Sequence, residues 1–75
     1  MNPGQKMFYN FFMERVKEDK KDEAKALLEE SFARQDAGTF DKAYFQEMMP
    51  KYFAVIKPDA IEELKQAMEH FASSL

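Results

Sequence analysis

His70 is the only histidine in the chain, and so the one side chain whose ordinary titration near neutrality suits acid–base or metal work. On a helical wheel it falls on the polar side beside Glu63 and Gln66, while the positions three and four before it hold Ala67 and Gln66. The Glu-x-x-His spacing of a metal-binding helix is therefore missing, and His70 reads as an exposed surface residue. Paired carboxylates occur at Asp22-Glu23, Glu29-Glu30 and Glu62-Glu63. Catalysis by such a pair needs one carboxyl in an apolar pocket that raises its pKa. These pairs fall on solvated faces or in first turns, with lysines at helical spacing such as Lys25 after Asp22 and Lys65 after Glu62, so they read as helix-stabilising. Ser31, Thr39, Ser73 and Ser74 have no histidine or lysine at a spacing that would supply a base. The two glycines, Gly4 and Gly38, form no phosphate-cradling loop. The expectation is a non-enzymatic protein without catalytic residues, cofactor or metal.

Two local patterns can be tested against known binding chemistry. Gly38-Thr39-Phe40-Asp41, with Phe45 and Met48-Met49, resembles the second half of an EF-hand loop and its exiting helix. That family binds calcium through oxygen ligands at alternate loop positions and a bidentate acid at the last one. Here the last position is Tyr44 and the loop-opening positions are Ala33 and Gln35, so no calcium site is expected. A DNA-reading helix at the same junction would need several basic or amide side chains at its start. The chain offers Asp41, Lys42, Gln46 and Glu47 there, a poor match to phosphate.

The 75 residues, 45% hydrophobic and 33% charged, suit a single domain spanning 1–75. A core of that size gives only a few kcal/mol of net stability. With no cysteine to form disulfides or thiolate metal sites, self-association becomes a natural reinforcement. The formal charge is −3, and Lys17, Lys20, Lys21 and Lys25 are interleaved with Glu18, Asp19, Asp22 and Glu23. Mixed signs give a weak field for phosphate, which disfavours nucleic acid as a partner. Residues 1–16 show no cleavage site and no unbroken apolar run, and the longest run elsewhere, Tyr52 to Ile56, is far short of the ~20 residues of a membrane span. The expectation is a cytoplasmic protein that does not enter membranes.

Apolar spacing is helical throughout, predicting an all-α fold, a small antiparallel bundle of four helices. The first should start at Pro3 to Gln5, with Asn2 as N-cap, and run to about Lys17. Met7, Phe8, Tyr9, Phe11, Phe12, Met13 and Val16 cover about two-thirds of its circumference. The second, from about Asp22 to Asp36, has a narrow stripe of Ala24, Leu27, Leu28, Ser31 and Phe32. Ala37-Gly38 supplies a left-handed stop, and Thr39 or Asp41 a cap for the third helix, from about Phe40 toward Ile56. Pro50 lacks an N–H and should kink that helix or restart it. Its apolar arc is again wide, about 180°. The fourth helix follows Lys57-Pro58-Asp59, buries Ile61, Leu64, Ala67, Met68, Phe71 and Ala72, and frays from Ser73 to Leu75. The simplest packing puts helices one and three at the centre.

Val16-Lys17-Glu18-Asp19 and its following helix echo Ile56-Lys57-Pro58-Asp59 and its own, at an offset near 40 with a one-residue gap. Two hairpins related by a pseudo-twofold would give this pattern. Shared Glu/Lys/Ala composition gives it too, and is taken as the sufficient explanation.

Wide apolar faces in so short a chain imply surface left over for a partner. Methionine and tyrosine suit an adaptable contact, and the expected interface is Tyr44, Met48 and Tyr52 on helix three with Phe11 on helix one. The functional expectation is an adaptor or regulator acting through protein contacts, self-associating as a homodimer. A charged residue at Met48 or Tyr52 should then abolish association and spare helicity. The alternative is a bundle that binds a small apolar ligand between helices one and three.

Overall fold

The computed structural model describes residues 1–73, apart from the side chains of Phe71 and Ala72. Among them are four α-helices: α1 (Pro3–Met13), α2 (Lys21–Asp36), α3 (Lys42–Val55) and α4 (Ile61–Ala72). The all-α expectation holds, and the ends of the helices show what the side chains at the breaks do.

At the start of α1, Asn2 Oδ1 accepts from the Gln5 N–H at 2.7 Å while Gln5 Oε1 accepts from the Asn2 N–H at 3.0 Å. This reciprocal box satisfies two otherwise orphaned donors. α2 ends in a Schellman turn, with the Gly38 N–H bonded to the Gln35 carbonyl and the Thr39 N–H to that of Arg34. The turn requires positive φ at one residue, and Gly38 supplies it at 75°. Of the two candidate caps for α3, Asp41 is the one used, accepting from the Tyr44 N–H at 2.8 Å. α3 then runs as one helix through Pro50, which sits on the exposed side, so the chain does not restart there.

α1 stops at Met13, earlier than its apolar spacing suggests. Val16 leaves the helix to form an isolated antiparallel bridge with Ile56. Two 2.9 Å bonds flank that bridge, from the Lys17 N–H to the Val55 carbonyl and from the Lys57 N–H to the Arg15 carbonyl. Each bridging residue is followed by one 3₁₀ turn, Glu18–Lys20 or Pro58–Ala60, that leads directly into the next helix. The backbones match closely: Lys17 has φ −59°, ψ 143° and Lys57 has φ −59°, ψ 141°. The sequence echo is therefore structural, since the bridging residue, the 3₁₀ turn and the start of the next helix recur at a constant offset of 40, each after a preceding helix. Composition alone would not make two loops adopt one conformation and pair with each other.

The core also corrects the expected order of packing. α2 packs on α1 and on α3, and α3 packs on α4, so α2 rather than α1 shares the centre with α3. α2 buries Ala24, Leu28, Ser31 and Phe32, and α3 buries Tyr44, Phe45, Met48, Tyr52 and Val55. α1 fully withdraws only Gln5 and Phe12. Val16 and Ile56 fill the middle beneath the bridge, and Leu64 and Met68 anchor α4. Ile61, expected in the α4 stripe, is exposed instead, while Leu64 in the same turn is fully buried. Ser73 is held by its N–H to Glu69 and its hydroxyl to His70. The expected burial of Phe71 and Ala72 and fraying of Ser74 and Leu75 lie outside the described residues.

Candidate functional site

Between the N-terminal turn of α1, the second half of α2, and α3 and α4 lies a partly open cavity of about 340 Å³. That is the lower end of the ~300–1,000 Å³ range of small-molecule sites. Its apolar wall is aromatic, built from Phe8 of α1, Phe32 of α2, Phe45 of α3 and Phe40 just before α3, with Met68 of α4 beside them. The rings hold one another, Phe40 lying edge-on to Phe45 at 6.2 Å and Phe8 stacked on Phe12 at 5.9 Å.

The polar wall has two parts. At the mouth, Gln5 Nε2 donates to Gln35 Oε1 at 2.8 Å and to Asp36 Oδ1 at 3.3 Å. Gln5 is only 5% exposed, and these bonds are what let an amide enter the interior. Deeper, the hydroxyls of Ser31 and Tyr52 are hydrogen-bonded to each other across α2 and α3. Among the described lining residues none is charged.

Burial pushes the Tyr52 hydroxyl up to about 12, against the opposing pull of its bond with Ser31. Because the folded value lies above the ordinary value near 10, the native state keeps this proton longer than the unfolded chain. Its contribution is complete below pH ~10 and is lost as pH rises toward ~12, about 3 kcal/mol in all. Urea midpoints measured across that interval should fall, and Tyr52→Phe should flatten the fall relative to the parent.

Three of the four expected interface residues are withdrawn from the surface. Tyr44, Met48 and Tyr52 are 7%, 2% and 4% exposed, held in the core by α2 and α1. Tyr52 meets the Phe12 ring edge-on at 5.2 Å, and the Arg34 guanidinium lies 4.3 Å from the centre of the Tyr44 ring. The wide arc of α3 is therefore filled by this chain itself. Phe11 is half-buried, with the Arg15 guanidinium 3.9 Å above its ring, and Arg15 in turn pairs with Glu63 of α4. Only Tyr52 of the four reaches the cavity. Gln5, Ser31 and Gln35 were not singled out for this site by periodicity, because two of them look like surface amides. The Asn2-x-x-Gln5 spacing was the available signal for Gln5.

Compared with models of protein families, with curated proteins and with solved structures, the chain has no match. Its site is read from its own geometry. Among the described residues there is no group of three or more His, Cys, Asp or Glu placed to hold a metal ion. No helix among them is long and apolar enough to cross a membrane. His70 is exposed, and Ser31 has a phenol rather than a base as its partner.

One buried polar atom is left over. The Tyr44 hydroxyl is enclosed without a hydrogen-bond partner, and an orphaned donor of this kind costs about 1–3 kcal/mol. Tyr44→Phe keeps the ring against Phe40 and removes the orphan. It should raise stability by about 1 kcal/mol, a gain of roughly 4–8 °C in a thermal melt of a domain this small.

Proposed function

We propose that this protein is a non-enzymatic binding module that holds a small, mostly apolar molecule in the cavity between α1, α2, α3 and α4. The observation that carries the reading is the combination of an aromatic wall with a few convergent neutral polar groups, the usual make-up of a ligand pocket. The cavity-lining Met68 is a built-in reporter. Titrating 2-ethylnaphthalene into protein with ¹³C-labelled methionine methyls should shift Met68 and leave Met7, which is 74% exposed, unchanged. Shifts at Met7 alone, or at no methionine, would refute the reading.

A second reading, contact with another protein or a second copy, has one specific observation in its favour. Met7 lies exposed on α1 one turn before the half-buried Phe11 and beside the half-buried Phe8, which makes an apolar strip on the flanking helix. An adaptor or regulator could use it, as could a homodimer. Light scattering over a concentration series tests it, since Met7→Glu should convert any dimer to monomer while leaving the CD spectrum intact. The cysteine-free composition supports placing either activity in a reducing, cytoplasmic compartment.

A further inference from the structure

The Ser31–Tyr52 pair fixes what kind of molecule the cavity can take, provided the cavity is a binding site as proposed above. Each hydroxyl has one proton to donate, and the two are bonded to each other. Whichever of them donates, one proton is consumed and the other has no partner. Neither hydroxyl makes a further hydrogen bond among the described residues. The pair therefore presents one unused donor regardless of the direction of its own bond. Both residues line the cavity, so that donor is available to a guest.

Gln35 adds to this polarity. Its oxygen is taken by Gln5, which leaves its NH₂ group as the free end of the amide. Spare lone pairs remain on the hydroxyls and amide oxygens, but an unsatisfied buried donor is tolerated less readily than a spare lone pair, so the unspent donors set the demand on a guest. An anionic guest would satisfy them, but it would enter without a counter-charge. No described lining residue is cationic, and at the mouth Gln5 is hydrogen-bonded to Asp36, a carboxylate. Removing an anion from water with no cation to meet it, close to another carboxylate, is strongly unfavourable.

We infer that the ligand is an uncharged aromatic or alicyclic molecule carrying a hydrogen-bond acceptor, such as a ketone, ester or amide carbonyl, which accepts from the Ser31–Tyr52 hydroxyl pair. The aromatic wall takes the ring and the hydroxyl pair takes the oxygen. Fatty acids and aromatic carboxylates are rejected by the same arrangement.

Three probes of nearly the same shape separate the contributions: 2-acetylnaphthalene with a neutral acceptor, 2-ethylnaphthalene with none, and 2-naphthoate with an ionised one. Dissociation constants at pH 7, read from Met68 methyl shifts, should place the ketone about fivefold tighter than the hydrocarbon, the worth of one neutral hydrogen bond. Naphthoate should bind more weakly than either. The double variant Ser31→Ala/Tyr52→Phe removes both hydroxyls together and strands neither, so its fold is preserved. In that variant the ketone's advantage should disappear while 2-ethylnaphthalene binding is kept. Equal binding of ketone and hydrocarbon in the parent protein, or a preference for naphthoate, would overturn the inference and leave the binding module standing. Failure of all three probes would overturn both.

Discussion

Met48→Glu is expected to unfold the protein outright. The Met48 side chain is 2% exposed in the centre of α3, among residues of the α2 and α3 core. A carboxylate there has no cation to pair with in the core cluster, whose members are all apolar or phenolic. The penalty for an unpaired buried ion is several kcal/mol even after relaxation, and the lost thioether packing adds to it. A 75-residue chain with a single core holds only about 3–5 kcal/mol in reserve. Far-UV CD at 25 °C should therefore show loss of most helical signal, whereas Met48→Leu, similar in volume, should change stability by less than about 1.5 kcal/mol. Retained helicity in Met48→Glu, with a change only in solution mass, would return Met48 to a surface and restore the interface first expected along α3.

The contrast between those two outcomes shows where sequence reasoning ran out. Local signals were legible: Asn2 and Asp41 as caps, Gly38 as the left-handed stop and the narrow stripe of α2 all depend on neighbours within a turn or two. Which of two wide faces is covered is a different kind of question, because it depends on partners far along the chain. Val16 sits in register with the apolar face of α1, yet its backbone pairs with Ile56, and nothing within a helical window reveals a partner 40 positions away. That bridge ends α1 early and orients both 3₁₀ turns. With it in place, α3 is enclosed and α1 lies at the flank, so the apolar excess is left on Met7, Phe8 and Phe11 rather than on Tyr44 and Met48. The cavity was hidden for a related reason. Its polar wall includes Gln5 and Ser31, whose burial is possible only because each finds its partner on another helix.

Phe12→Ala should be the most damaging apolar truncation in α1, at about 3–5 kcal/mol. Phe12 is the one apolar side chain that α1 buries fully, the anchor for Phe8, Tyr9, Phe11 and Met13, which pack partly buried against the core. Phe12 is 0% exposed, stacked with Phe8 on one side and edge-on to Tyr52 at 5.2 Å on the other. Cutting it back to a methyl forfeits its burial and leaves a hole between α1 and α3. It also removes the ring that holds Tyr52 and Phe8, two members of the cavity wall. The loss is comparable to the total stability of a domain of this size, so the variant should be largely unfolded at 37 °C by CD and its urea midpoint at 4 °C should be close to zero. Met7→Ala in the same helix is the control. Met7 is 74% exposed, and its truncation should stay within about 0.5 kcal/mol of the parent. If the two variants lose similar stability, α1 is held by its own helical propensity and not by the Phe12 contact, and the cavity would have to be held together by α2, α3 and α4 without it.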